Sequence, residues 1–338
     1  MVVGRHRRRS HRSLGHPRSV TDLHYDHRVQ IVYLSNRPEV LHGTVAAVQR
    51  WMPWISSILI SAPGGTDFGT FDLPTTVVDD AAITGSTPRE LRAMDHVTRN
   101  VTLRRALLEQ GLLADEFILS DDDYRPIVEV GISDYVHADG RHQGYWFYEL
   151  ERWPGRETDY DRAQIRTLAA LRLLGTPTLA YGAHMPQIMR ADWLAEAFAA
   201  ADDVGAGPLI DEWSLYFNLA AIRHPDQLAP PRPFRTLAWP QWPHQWPHRV
   251  APHPIRFENH YPSHEQPGGL FHGLPPITAP GGALARVEAW RSAELAIGEL
   301  RFDPTWNDPW TRGSAPRRRA ATLLRGAKKA RKYIGLDR

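Results

Sequence analysis

"ADEFILSDDDYRP", residues 114–126, joins a short apolar run to three consecutive aspartates. Residues 116–120 read as a buried strand, so Asp121, Asp122 and Asp123 stand at its carboxyl end. Three adjacent like charges repel one another, and a fold that keeps them together usually gives them something positive to hold. Upstream, "VQIVYLSNRP" (29–38) is a β-branched run closed by Asn and Pro, which predicts a first strand. In "EVLHGTVAAVQRWMPW" (39–54), Val40, Leu41, Val45, Val48 and Met52 recur at helical spacing. "ISSILISAP" (55–63) and "TTVVDDA" (75–81) predict two further strands, separated by a Gly-rich loop. Thr87, Pro88 and Glu90 form a capping-box pattern that opens one long helix or two short ones over 87–113.

The order β-α-β-β-α-β predicts an α/β fold with a largely parallel sheet flanked by helices. In open sheets of this kind ligands bind beyond the carboxyl ends of the strands, where the aspartates lie.

The second half of the chain has a different texture. "ISDYVHADGRHQGYWFYELE" (132–151) alternates aromatic and polar residues, which predicts a strand pair. Helices are expected over 158–175, 191–202, 208–224 and 281–302. Between Pro225 and Pro280, proline, histidine and tryptophan dominate, including "WPQWPHQWPH" (239–248), and an irregular packed segment is expected. The organisation expected is a basic tail (1–28), a main domain (29–224), a Pro/Trp/His-rich segment packed on it (225–312) and a second basic tail (313–338).

Composition narrows the chemistry. The 338 residues include no cysteine, which excludes disulfides, zinc–thiolate sites and thiol nucleophiles. No apolar run reaches the roughly 18 residues of a membrane span. The basic N-terminus lacks the apolar stretch of a signal peptide, so the cytoplasm is the expected location. The net charge of +2 conceals an asymmetry. Residues 1–28 carry seven arginines against two aspartates, and residues 313–338 carry six arginines and three lysines against one aspartate, which leaves 29–312 strongly acidic. An acidic body of this kind argues against a nucleic-acid partner.

Carboxylates at i and i+2 on an extended turn point to one side and suit hard divalent ions such as Mg²⁺ or Mn²⁺. Such an ion keeps positions open for a diphosphate and neutralises charge on a leaving nucleotide. An acidic triplet also occurs as a plain cap on a strand or helix, and the sequence leaves that alternative open.

Taken together, "VYLSNRPEVLHGTVAAVQRWMPW", "ILIS" and "FILSDDDY" resemble nucleotide-sugar glycosyltransferases of the GT-A fold, with Asp121-Asp122-Asp123 at the place of their DXD motif. The resemblance implies a Rossmann-type mixed sheet, a nucleotide-diphosphate sugar donor, a carbohydrate or lipid-linked acceptor, and metal held by the outer pair Asp121 and Asp123. A narrower likeness covers roughly 40–200. "VQRWMPWISSILISAPG", "RNVTLRRALLEQGLLADEFILSDDDYRPI" and "AHMPQIMRADWLAEAF" are similar to segments of Stealth-type sugar-phosphate transferases. That family opens with a strand carrying Trp, Val, Asp and Gly, where this chain has "VYLSNRP". A sugar-1-phosphate transferase is therefore the second reading, and a carbohydrate- or membrane-associated binding protein the third.

Further residues fall into roles under the first reading. Ser35, Asn36 and Arg37 end the first strand and border the donor, with Arg37 able to meet a phosphate. The same residues also suit a simple strand-to-helix turn. His96, Arg99, Asn100 and Arg104 recur at three- and four-residue spacing and face the donor, as does Asp122; a solvated helix face has the same pattern. His184 is a possible third metal ligand, or a structural histidine. Glu212 and Asp211 offer a catalytic base or helix-terminal charges. Trp239, Trp242 and Trp246 could stack on acceptor sugar rings or simply pack. Arg256, His260 and His264 complete the acceptor side. The last 22 residues mix basic groups with Leu323, Leu324, Tyr333 and Ile334, which fits peripheral contact with anionic lipid or a plain solubilising tail.

Overall fold

The computed structural model describes residues 29–153, 155, 157–182, 185–239 and 255–302. The chain begins with β1 (Val29–Leu34), α1 (Pro38–Trp51), β2 (Ile55–Ala62) and β3 (Thr75–Asp79). Pro38 opens α1 in its first turn, where no backbone donor is needed, and Leu41, Thr44, Val45, Ala47 and Val48 form its buried stripe. Next come α2 (Asp80–Thr84), α3 (Pro88–Ala93), α4 (His96–Glu109) and β4 (Glu116–Leu119). The stretch 87–113 is two helices because it holds two N-caps. Thr87 and Glu90 form the reciprocal capping box of α3, and Asp95 then accepts from the Thr98 backbone to start α4.

After the aspartates the elements are β5 (Tyr124–Pro126), β6 (His142–Trp146), β7 (Tyr148–Glu149), α5 (Asp159–Leu173), β8 (Leu179–Ala180) and β9 (Gln187–Arg190). Then follow α6 (Ala191–Asp203), α7 (Glu212–Arg223), β10 (Leu228–Pro233), β11 (Arg235–Leu237), β12 (Ile255–Asn259), α8 (Pro262–Glu265) and α9 (Gly282–Phe302). No helix among the described residues is long and apolar enough to cross a membrane.

The fold is mixed α/β. Its central sheet has the order β3-β2-β1-β4-β9, with β3, β2, β1 and β4 mutually parallel and β9 antiparallel at the edge. Ile31, Val32, Tyr33, Ile58, Leu59, Ile60, Phe117 and Ile118 are all buried, as expected of strands covered on both faces. The chain runs outward from β1 to β2 and β3, then returns to place β4 on the other side of β1. The order therefore reverses between β1 and β4. At their carboxyl ends lie Ser35 to Arg37 and Asp121 to Asp123, the crevice that such topologies use for ligands.

Two expectations are corrected. Residues 132–151 do not form a strand pair: β6 pairs with β10 and β7 with β8. The Asp139-Gly140 turn closes only an isolated bridge between Val136 and His142, and from there to Glu149 the chain carries no turn that would fold it back. Nor is the Pro-rich segment wholly irregular. Its described parts hold β10, β11 and β12, and β10 tolerates its prolines because it pairs with a single neighbour. A second, smaller apolar cluster, including Ile127, Leu237, Ile255, Phe271 and Trp290, seats α9.

Candidate functional site

The aspartate loop is held from several sides. Ser35 Oγ donates to Asp122 Oδ2 at 2.6 Å, and Arg37 Nε donates to the same oxygen at 3.1 Å. Arg37 Nη2 reaches both Asp122 Oδ1 and, at 3.0 Å, Asp123 Oδ2. Thr44 Oγ1 of α1 donates to the Asp122 carbonyl at 2.6 Å. The His260 backbone N–H donates to the Asp123 carbonyl at 2.8 Å, extending the antiparallel pairing of β12 with β5. Asp122 is thus buried and turned back toward β1, while the Asp121 and Asp123 side chains keep 22% and 20% of their surface open. Burial, reinforced by Asp121, pushes the Asp123 carboxyl above the usual carboxylate range against the pull of Arg37. For Arg37 burial acts to lower the pKa, but its bonds to Asp122 and Asp123 outweigh that and hold the guanidinium firmly charged.

Asp121 opens onto a cleft walled by α4, α5 and the start of α7. Arg104 Nη2 donates to Asp121 Oδ1 at 3.1 Å, and its Nη1 is ion-paired with Glu212. Both Arg104 and Glu212 are almost fully buried, and the guanidinium lies 5.6 Å from the Trp213 ring centroid. Burial pulls the Arg104 pKa below its ordinary value, opposed chiefly by Asp121 and Asp211.

Asp211 caps α7. Its carboxylate accepts from Ser214 Oγ at 2.7 Å, Gln164 Nε2 at 3.1 Å and the Ser214 backbone at 3.4 Å. Gly182 allows this packing, since a Cβ there would lie 2.4 Å from an Asp211 oxygen.

The residues singled out in the sequence are distributed as follows. His96, Asn100, Arg104, Asp121, Asp211 and Glu212 line the one cleft, and Asn100 Nδ2 lies 3.3 Å from His96 Nε2. Ser35, Arg37, Asp122 and Asp123 adjoin it across the loop. Asn36 is exposed at the turn between β1 and α1. Arg99 turns away and favours the charged form of Asp80, which also accepts from Ser61 Oγ at 2.5 Å. Arg256 is paired with Asp134, and His264 is fully buried beside the rings of Tyr261, Phe271 and Trp290. Trp239 packs edge-on to Phe147 at 4.6 Å. His184, Trp242, Trp246 and both basic tails lie outside the described residues.

Among the cleft residues that carried no sequence argument are Tyr160, Gln164 and Trp213. Tyr160 and Gln164 stand at i and i+4 on α5, whose capping box at Thr158 fixes the start of the helix, so their shared face was readable. Tyr160 donates to the Gly182 carbonyl at 3.0 Å, and burial followed by Asp211 and Asp121 drives its phenol pKa far up.

Among the described residues, no three His, Asp or Glu side chains converge as a ready-made metal cage. Any ion held by Asp121 and Asp123 would therefore take its remaining ligands from water or substrate, as Mg²⁺ commonly does. Neither a scan of family models nor a search of curated proteins finds a match to this chain.

Proposed function

We propose that the protein is a GT-A-type glycosyltransferase that moves a sugar from a nucleotide-diphosphate donor to a hydroxyl acceptor with the aid of Mg²⁺ or Mn²⁺. The observation that carries this reading is the reversal of strand order between β1 and β4, with Arg37 on one side and the outward pair Asp121 and Asp123 on the other. Five carboxylates there, Asp121, Asp122, Asp123, Asp211 and Glu212, face two guanidinium groups, Arg37 and Arg104. The excess negative charge is what a divalent ion would offset. The raised Asp123 carboxyl is a group that added positive charge would stabilise.

In this reading Asp121 and Asp123 would hold the ion, which when bound supplies charge neutralisation to a leaving diphosphate. Arg37, 44% exposed beside Asp123, meets a phosphate oxygen. His96 and Asn100 at the rim of the cleft hydrogen-bond sugar hydroxyls. Glu212 takes the proton of the acceptor hydroxyl as its oxygen bonds to the anomeric carbon and the bond from that carbon to the diphosphate breaks.

The test is to supply Mn²⁺ with UDP- and GDP-sugars and identify the nucleotide released. UDP or GDP is expected. UMP or GMP would replace this reading with sugar-1-phosphate transfer, and absence of both donor binding and turnover would leave a binding protein. Full Mn²⁺-dependent donor binding in an Asp121→Asn/Asp123→Asn double variant would remove the metal assignment.

A further inference from the structure

We propose that Arg104 is the positioning residue of this site: a resident counter-cation that ties Asp121 to Glu212 and opposes the entry of a divalent ion. The inference rests on the metal-dependent reading above for the nature of that ion.

Arg104 is committed at both ends of its fork, Nη2 to Asp121 and Nη1 to Glu212. Its side chain is only 6% exposed, against 44% for Arg37. Arg37 can therefore share its charge with water or a phosphate while still bonded to Asp122, whereas Arg104 is enclosed by protein. Its Nε is buried without a hydrogen-bond acceptor among the described residues, and no bond beyond Asp121 and Glu212 holds the fork. A buried arginine is tolerable only while its charge is compensated, and Asp121 and Glu212 supply that compensation by contact, with Asp211 adding to it from nearby.

An ion arriving at Asp121 competes with this cation for the same oxygen and then stays beside it as a like charge. Glu212 acts in the opposite sense, because it draws the Arg104 charge away from Asp121. Two opposed consequences follow. Removing the Arg104 charge strengthens metal binding. Removing the Glu212 charge turns more of the Arg104 charge onto Asp121 and weakens that binding. A residue that merely props up the cleft would weaken binding in both cases.

The experiment is calorimetric titration of MnCl₂ alone into the full chain, as wild type and as Arg104→Gln, Arg104→Lys and Glu212→Gln, with folding checked by circular dichroism. Arg104→Gln is expected to bind Mn²⁺ at least about tenfold more tightly than wild type, the scale of one like charge removed at short range. Arg104→Lys keeps the charge and stays near the wild-type affinity. Glu212→Gln binds more weakly, and if Arg104→Gln does not fold, Arg104→Met, which keeps the length of the side chain without its charge, carries the test with the same expected gain in affinity. The proposal is overturned if either variant shifts against its expected direction or leaves the affinity unchanged. If wild type releases UDP or GDP with Mn²⁺ while Arg104→Gln shows no gain in affinity, the glycosyltransferase reading stands and the role of Arg104 falls. If no form binds Mn²⁺, with or without UDP, both fall.

Discussion

Replacing Asp122 by alanine separates the architectural aspartate from its two neighbours. Asp122 accepts from Ser35 Oγ at 2.6 Å and from Arg37 through both of its oxygens. The Ser35 bond is buried and made to a carboxylate, so its loss is worth about 1.5–3 kcal/mol. The Arg37 pair is half open to water and is discounted to about 0.5–1 kcal/mol. Asp122→Ala is therefore expected to lower stability by roughly 2–4 kcal/mol, because Ser35 loses its acceptor and β1 loses its link to the loop after β4. For a chain of this size that is a fall of roughly 3–6 °C in Tm. Asp123→Ala should cost less than about 1 kcal/mol, since Arg37 keeps Asp122 and burial already disfavours the Asp123 charge. Thermal and urea unfolding followed by circular dichroism measure both. If Asp122→Ala unfolds no earlier than Asp123→Ala, the distinction between an inward and an outward aspartate is wrong.

Three further outcomes are expected. Burial, with help from Arg125, depresses the His260 pKa from 6.5 to about 4. Above pH 6.5 both folded and unfolded forms are neutral and the contribution is complete; as pH falls toward 4 only the unfolded chain binds the proton, so stability is lost across that window and levels off below it. His260→Gln should flatten this part of the curve relative to wild type, and an unchanged difference between pH 7 and pH 4.5 would contradict it. At Asp211, asparagine caps a helix about as well as aspartate, so Asp211→Asn should keep stability within about 1 kcal/mol, while Asp211→Ala loses about 1–2 kcal/mol with its cap. Glu212→Gln should lower kcat by about 10²–10⁴ if Glu212 is the base, with Asp211→Asn far milder; equal losses in a turnover assay would return Asp211 to the base role.

The βα units were legible because each carried a local signal. The run "IVYL" in β1, the stripe of α1 and the Thr87–Glu90 box all act within a few residues of themselves. The convergence of His96, Asn100 and Arg104 was equally local: four-residue steps advance only about 40° around a helix, so all three share a face. Arg99 falls outside that row and turns to Asp80 instead. What could not be read depends on partners far along the chain. β6 and β7 carry strand residues, but their mates at 228–233 and 179–180 are set by packing, and nothing in the string names them. The same holds within "DDD". The three carboxylates are chemically identical, and only Ser35, Arg37 and Arg104 make one structural and two outward.

That division also explains how the loop keeps three adjacent charges. If all three faced one ion, their mutual repulsion would have to be relieved by that ion alone, and the loop would loosen whenever it left. Here Asp122 is turned into the protein, where Ser35 and Arg37 hold its carboxylate and Thr44 its carbonyl, which fixes the backbone on both sides of it. The His260 N–H then holds the Asp123 carbonyl from β12, so a segment more than 130 residues downstream completes the loop. With the backbone held by β1, α1 and β12, Asp121 and Asp123 need no ligand to stay in place. They keep separate counter-ions: a half-exposed arginine shared with Asp122 and a buried one shared with Glu212.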